Sequence, residues 1–407
     1  MNKKRVILML VSIGFIGIVF FIGIRIVHYL RVKYAKIEVT LTQDLILPFT
    51  EKKKVSDFIL SINGEILDDY VIDSTSLGEK EVLFKFKNDE GIVVSYHFEV
   101  NVVDRVPPVV WLNSSYSIQK GETVPLTDKI LCGDNEDAYP TCSVIGNYDV
   151  HTVGSYPLEF VATDRSGNST KQNFTLYVTE PKKPGTNSSS VPKKRTLFSE
   201  VVASHKNEFT KIGLDVSKWQ GEIDFEALKN AGVEFIFIRV GGTRGTGKDY
   251  FVDEYFKRNI EEANRYGIEV GIYFYSYANS NELAKQDALW VIEQIKGYNV
   301  SLPIAFDWEN WSSFNQYHLS FFGLTDMATT FLNTVKEHGY EGLLYSSKNY
   351  LEKLWLPTEF DTWLAHYVSD FSKKSSYEGH YTFWQLCQDG KVEGIKGDVD
   401  IDIMYLN

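Results

Sequence analysis

Hydrophobic side chains run uninterrupted by charge over residues 6–24, where Ser12 is the only polar side chain, directly after Lys3-Lys4-Arg5. About 19 such residues approach the ~20 that cross a bilayer as a helix. No small-x-small cleavage pattern follows closely, and a cleaved signal peptide has a shorter core and such a site. The pattern predicts an uncleaved membrane-spanning anchor, with residues 1–36 as a cytoplasmic tail plus that helix. Arg25, Arg31, Lys33 and Lys36 put positive charge on the far side too, so the positive-inside rule barely discriminates. The remainder reads as exported material, so the expected localisation is the cell membrane, single-pass, with the bulk of the chain extracellular.

Beyond residue 36 the rhythm becomes two. Ile37-Glu38-Val39-Thr40-Leu41 alternates cleanly, and residues 81–86 and 93–100 repeat the alternation, separated by turn signals at Asn63-Gly64 and 88–91. Residues 37–105 are therefore expected to form a β-rich domain, and short strands at this spacing predict a small β-sandwich. A second β-unit is expected at 106–179, where strands at 156–164 and 171–178 flank the turn Arg165-Ser166-Gly167-Asn168. With the leading Asp104-Arg105-Val106-Pro107-Pro108, this hairpin resembles the bacterial immunoglobulin-like repeats of surface proteins. Such modules are spacers or adhesive elements, which makes cell-surface protein partners an expectation. Residues 180–210 open with Pro, Lys, Gly, Asn and Ser, cannot bury a core, and read as a linker.

From residue 211 the rhythm changes again, to strands alternating with helices. Strands are predicted at 212–216, 234–240, 270–276, 303–309, 342–347, 362–367, 382–386 and 399–405. Helices are predicted at 224–230, 253–266, 281–296 and 325–338, with Gly232, Gly267, Gly297 and Gly339 at their ends as C-terminal caps. Strand–helix alternation implies a parallel sheet, and about eight strands in about 200 residues imply a closed barrel. The later connections are too short for full helices, so the barrel is expected to be irregular. The predicted fold class is thus multidomain: a transmembrane helix, one or two β-sandwich domains of immunoglobulin-like type, and an irregular α/β (TIM-like) barrel.

Catalytic groups of such barrels lie at the C-terminal ends of strands. Asp215 ends the first strand, Tyr273 and Tyr275 the third, Asp307 and Glu309 the fourth, and Tyr345 the fifth. Tyr367 ends the sixth, Trp384 and Gln385 the seventh, and Asp400 and Asp402 belong to the last. Side chains at i and i+2 of a strand share a face, so Asp307 and Glu309 are expected to project together. Close carboxylates push each other apart in pKa, giving one anion and one proton donor, which is the equipment for cutting a glycosidic bond. An acid-x-acid triplet alone is common in solvated loops. Packing explains each aromatic singly, but it does not explain acids collected at one rim.

The chain has 407 residues and a formal net charge of −12, which argues against nucleic-acid binding. No glycine-rich phosphate loop and no His-Glu-x-x-His occurs, and the three cysteines fit no metal-cluster spacing. In an exported domain, Cys132 and Cys142 are expected to be bridged, two free thiols being the other reading, and Cys387 to be a buried small side chain.

The segment 213–224 (Gly-Leu-Asp-Val-Ser-Lys-Trp-Gln-Gly-Glu-Ile-Asp) resembles the opening of glycoside hydrolase family 25, the Chalaropsis-type lysozymes. Phe237-Ile238-Arg239-Val240-Gly241, residues 271–276, Asp307-Trp308-Glu309, Trp384-Gln385 and Gly397-Asp398-Val399-Asp400 resemble its later blocks in order. The resemblance spans 211–407 and implies cleavage of the β-1,4 bond between N-acetylmuramic acid and N-acetylglucosamine in peptidoglycan glycan strands, without cofactor or metal. It implies Glu309 as general acid, Asp307 as its partner carboxylate, Asp215 and Asp400 as the other two acids, and Tyr345, Trp363, Tyr367 and Trp384 as groove lining. Tyr273, Tyr275 and Gln385 join the candidate substrate-binding set. Phe274 stands where many relatives carry His. The alternative is a catalytically weak or inactive wall-binding protein on the same barrel. A chitinase-type barrel is disfavoured, since Ala305 stands where its Asp-x-Asp-x-Glu pattern needs the first acid.

Overall fold

The computed structural model describes residues 18, 20–181, 195–368, 370 and 372–406. They fall into two compact units, 1–105 and 106–407.

The expected membrane-crossing helix is corrected. Among the described residues no helix is long and apolar enough to cross a membrane. The described helical turns cover 20–33, and there Arg25, His28, Arg31 and Lys33 interrupt the apolar run; a charged side chain at bilayer depth is costly. Residues 6–17 and 19 of the expected span lie outside the described residues.

The first unit is built on a four-stranded sheet in the order Ile46–Pro48, Val93–Val103, Gly78–Asn88, Gly64–Ile66. Its long hairpin keeps strict alternation, so Val82, Phe84, Phe86, Phe98 and Val100 are buried on one face. Val39–Leu41 pairs separately with Ile59–Ile62. What the sequence led us to expect as a sandwich is thus one four-stranded sheet with a two-stranded companion.

The second unit begins with another four-stranded sheet, in the order Thr141–Ile145, Gly154–Thr163, Ser169–Thr179, Ser115–Gln119. Val109–Val110 pairs with Cys132–Gly133 beside it. Cys132 and Cys142 are disulfide-bonded. Closing a loop of this length stabilises by roughly 3 kcal/mol in the chain-entropy account. We call 107–179 the β-module.

The barrel occupies the rest. Its strands are Thr210–Val216, Phe235–Thr243, Glu269–Tyr275, Ile304–Asp307, Gly342–Ser347, Asp361–Ala365, Phe383–Lys391 and Val399–Tyr405. The first seven run parallel to their neighbours. The eighth closes the ring antiparallel to both the seventh and the first, which corrects the all-parallel expectation. Reversal brings the start of that strand, with Asp400, to the rim where the parallel strands end, so Asp400 lies opposite Asp215.

Period-two alternation divides the strands. Phe235, Phe237, Ala305, Leu343, Trp363 and Phe383 fill the interior, while Ile236, Ile238, Ile272 and Phe306 pack outward under the helices. Gly271 is required by that filling: a Cβ there would stand 2.3 Å from the Phe237 ring. Among the described residues, full helices cover the first half only, at Phe225–Ala231, Phe256–Arg265, Asn281–Ile295 and Phe321–Glu337. Asp224, Ser280 and Ser320 cap three of them at their N-termini. Thr196–Leu197 joins the seventh strand, and Phe198–His205 buries Phe198 and Val201 against the barrel. Of the expected linker, 182–194 lies outside the described residues and 196–205 is folded.

Candidate active site

The chain leaves the fourth strand at Asp307, two residues earlier than expected. Trp308 turns into the core, buried against Trp311, Phe314 and Tyr317, with its indole N–H donated to Ala278 O. Glu309 takes φ −125° and ψ 19° and opens the short helix Asn310–Ser313. Asp307 and Glu309 still come together, lining one cavity close enough for each carboxyl to perturb the other. Asp307 is buried and Glu309 exposed to the cleft.

Asp215, Asp307, Glu309 and Asp400 line one cavity of about 250 Å³ with Tyr273, Tyr275, Tyr345, Trp363, Tyr367 and Gln385. Ten of the eleven sequence candidates are therefore gathered at one rim. The exception is Trp384, which is wholly buried among the outward-packing side chains, donates to His366 O and meets the His205 ring edge-on. Strand alternation explains the displacement: Trp384 precedes Gln385, so only Gln385 faces in. Trp363 is also too buried to offer a free face and serves as floor, with the Phe237 ring stacked beneath it at 4.4 Å. Phe274 packs among Tyr250, Trp290 and Phe331, away from the acids.

Gln385 is the organiser. Its Nε2 donates to Asp215 Oδ2 at 2.7 Å, and its Oε1 accepts from Tyr345 OH at 2.9 Å and Tyr367 OH at 2.8 Å. Below lies Asp402, fully buried and accepting from Trp363 Nε1 at 2.8 Å. The nearest cation, Arg239, is held by Asp253, with Nε 3.0 Å and Nη2 2.8 Å from its carboxylate.

Acids gathered with little positive charge must keep protons. Burial, then the charges of Glu309 and Asp215, pushes Asp307 well above the ordinary carboxylate range. Burial also raises Glu309, because its carboxyl is crowded by protein although the side chain reaches solvent; the Asp307 carboxyl and the Tyr345 hydroxyl beside it pull it partly back. Burial, then the Asp402 charge, raises Asp215. Burial, with Asp215 and Glu309, pushes Asp400 up to about 9. Asp307 and Glu309 perturb each other, so their titration belongs to the pair.

Sequence reasoning passed over several lining residues. Trp219 is 77 % exposed at the rim, with the Lys218 ammonium 4.8 Å from its ring. It sits in the quoted opening segment, so its signal was in view. Gln388 and Arg239 complete the inner cavity. Trp311, Tyr350 and His366 line an adjoining cavity of about 650 Å³ that also reaches Glu309. The two cavities share Glu309, Tyr345 and Tyr367, forming one groove.

Residues 214–395 match the family described as glycosyl hydrolases family 25. That match covers most of the barrel, which is therefore similar to the catalytic domain of this family. Over 202 residues the chain is 29 % identical to lysozyme M1 of Streptomyces globisporus, covering 46 % of this chain and 65 % of that protein. Over 192 residues it is 26 % identical to the autolytic lysozyme of Clostridium acetobutylicum, covering 47 % of this chain and 54 % of that protein. The chain thus spans less than two thirds of the length of these two relatives. Among solved structures, a family 25 glycosyl hydrolase from Bacillus anthracis is 24 % identical at a TM-score of 0.41, covering 50 % of this chain and 92 % of that one.

Proposed function

We propose that this chain is a peptidoglycan muramidase, hydrolysing the β-1,4 bond between N-acetylmuramic acid and N-acetylglucosamine. The observation that carries the reading is the Asp307–Glu309 pair: two carboxyls brought together at one rim, both pushed above the ordinary carboxylate range, with Asp307 buried and Glu309 exposed to the cleft.

Glu309 is assigned as the acid that protonates the leaving O4, because its side chain is exposed to the cleft while that of Asp307 is buried. Asp307 receives the complementary role. As Glu309 gives its proton up, negative charge beside the anomeric carbon stabilises the oxocarbenium-like transition state. Asp307 is placed to orient the substrate's 2-acetamido group as internal nucleophile, with Asp215 and Asp400 completing the acidic wall. Tyr273, Tyr275, Tyr345, Tyr367 and Gln385 supply the polar lining, and Trp219 offers a face on which a sugar ring can stack.

We further propose that the catalytic domain works outside the cytoplasm, where its substrate lies and where a disulfide such as Cys132–Cys142 persists. The activity is tested by incubating the full chain and its Glu309→Gln variant with purified peptidoglycan. Release of soluble fragments by the first and not the second supports the reading; no release by the wild type, or equal release by both, refutes it.

A further inference from the structure

The wall of the groove beyond Glu309 is shared with the β-module. After Glu309 the chain forms Asn310–Ser313 and Phe314–Tyr317, turns at His318 with φ 52°, and enters the helix Phe321–Glu337. Trp311 in this segment stacks on Tyr350 at 4.2 Å between centroids and 20° between planes. Both line the larger cavity with Glu309. Tyr350 also meets Trp111 of the β-module, 5.0 Å between centroids and tilted by 39°. Lys353 lies 5.1 Å above the Trp111 ring.

The same segment is tied to the module by polar contacts. Asn315 Oδ1 accepts from Cys132 N at 3.0 Å, and its Nδ2 donates to Thr127 O at 2.6 Å and Ile130 O at 3.0 Å. Phe321 N donates to Asp134 O at 2.8 Å and Phe322 N to Asn135 O at 3.1 Å. These amides belong to the first turn of a helix and have no partner within it. Gly133 is fitted against two rings: a Cβ there would lie 2.7 Å from Phe314 and 2.8 Å from Phe321. Tyr139 stacks on His318 at 5.0 Å. The disulfide closes the loop 132–142 that carries the contacts of Cys132, Gly133, Asp134, Asn135 and Tyr139.

We propose that the β-module is a positioning element of the catalytic groove. Through Asn315, the Gly133 contact and the Trp111–Tyr350–Trp311 stack, it holds 309–322 so that the outer arm of the groove keeps its glycan-binding shape. The module is then part of the enzyme's substrate site as well as a spacer. The consequence for turnover rests on the muramidase reading; the positioning itself does not.

The test uses the full chain and its Trp111→Ala, Trp111→Phe and Asn315→Ala variants. Steady-state digestion of soluble glycan strands is measured together with amide hydrogen exchange over 310–322 and the melting temperature. Trp111→Ala should raise KM about 3- to 10-fold, the weight of one aromatic contact, and change kcat less than about 2-fold. Exchange should quicken over 310–322 and not in the strands. Trp111→Phe should restore most of KM, and Asn315→Ala should act in the same direction as Trp111→Ala. Unchanged KM and unchanged exchange in both alanine variants would overturn the proposal. So would a fall in kcat, melting temperature and exchange protection throughout the barrel, because that pattern marks general destabilisation. If the wild-type chain releases nothing, the muramidase reading fails by itself, and exchange over 310–322 still decides the positioning: local quickening sustains it and no change rejects it.

Discussion

Gln385 Nε2 donates to Asp215 Oδ2 at 2.7 Å, while the same amide's oxygen gathers the hydroxyls of Tyr345 and Tyr367. One side chain thus fixes an acid from the first strand to two phenols from the fifth and sixth. Replacing Gln385 by Ala strands a buried carboxyl and frees both hydroxyls. An unsatisfied buried polar group costs roughly 1–3 kcal/mol, so kcat/KM should fall by about 10- to 100-fold, with a lower melting temperature. Kinetics and thermal unfolding of Gln385→Ala check this, and Gln385→Glu should be no better, because it adds another acid to the cluster.

Asp307→Asn should shift the pH–rate profile in a definite direction. Asp307 is one of the negative charges that make proton loss from the pair costly. With Asn there, the repulsion between two carboxylates that opposes loss of the pair's last proton is gone, so the alkaline limb should move to lower pH while the maximal rate falls. Profiles of kcat/KM for both proteins decide it, and a limb that moves to higher pH contradicts the assignment.

Stability should also carry the mark of the acid cluster. Asp287, under Ser276 and Tyr250, is pushed up to about 6 chiefly by burial, and Asp400 to about 9. Both folded values lie above the ordinary 3.8. The native state therefore binds more protons than the unfolded chain, and this contribution is full below about pH 4 and is lost as pH rises through the folded values. The melting temperature should decline from pH 5 toward about pH 9. Asp400→Asn should flatten the upper part of that decline, and thermal scans across pH check both statements.

Trp219→Ala should leave the melting temperature unchanged, since the ring is 77 % exposed. It removes a stacking face at the rim, so KM for long glycans should rise about 3- to 10-fold with kcat nearly constant. Equal loss of kcat and kcat/KM would place Trp219 in the transition state instead.

Much of the barrel was legible because strand and helix periods differ and glycines mark helix ends: Gly232 and Gly339 do sit at positive φ after helices. The acids were legible because strand ends of a barrel share a rim. Four things were not. The reversed last strand carries no local signal, since Val399–Tyr405 reads the same in either direction. Trp384 was misplaced toward the groove because facing depends on a one-residue register, which the pair Trp384-Gln385 leaves open. The membrane-crossing reading of 6–24 came from hydropathy alone, and its described continuation through 33 carries charge. Contacts between distant segments, such as Asn315 with Cys132, have no sequence signature at all.

The central claim is most directly tested by the chemistry of the cut. Peptidoglycan digested by the full chain should be reduced with borohydride, hydrolysed and resolved by mass spectrometry. Cleavage after N-acetylmuramic acid frees the anomeric carbon of that sugar, so the account predicts muramitol among the products and no gain in glucosaminitol. Glucosaminitol as the new end group would contradict it.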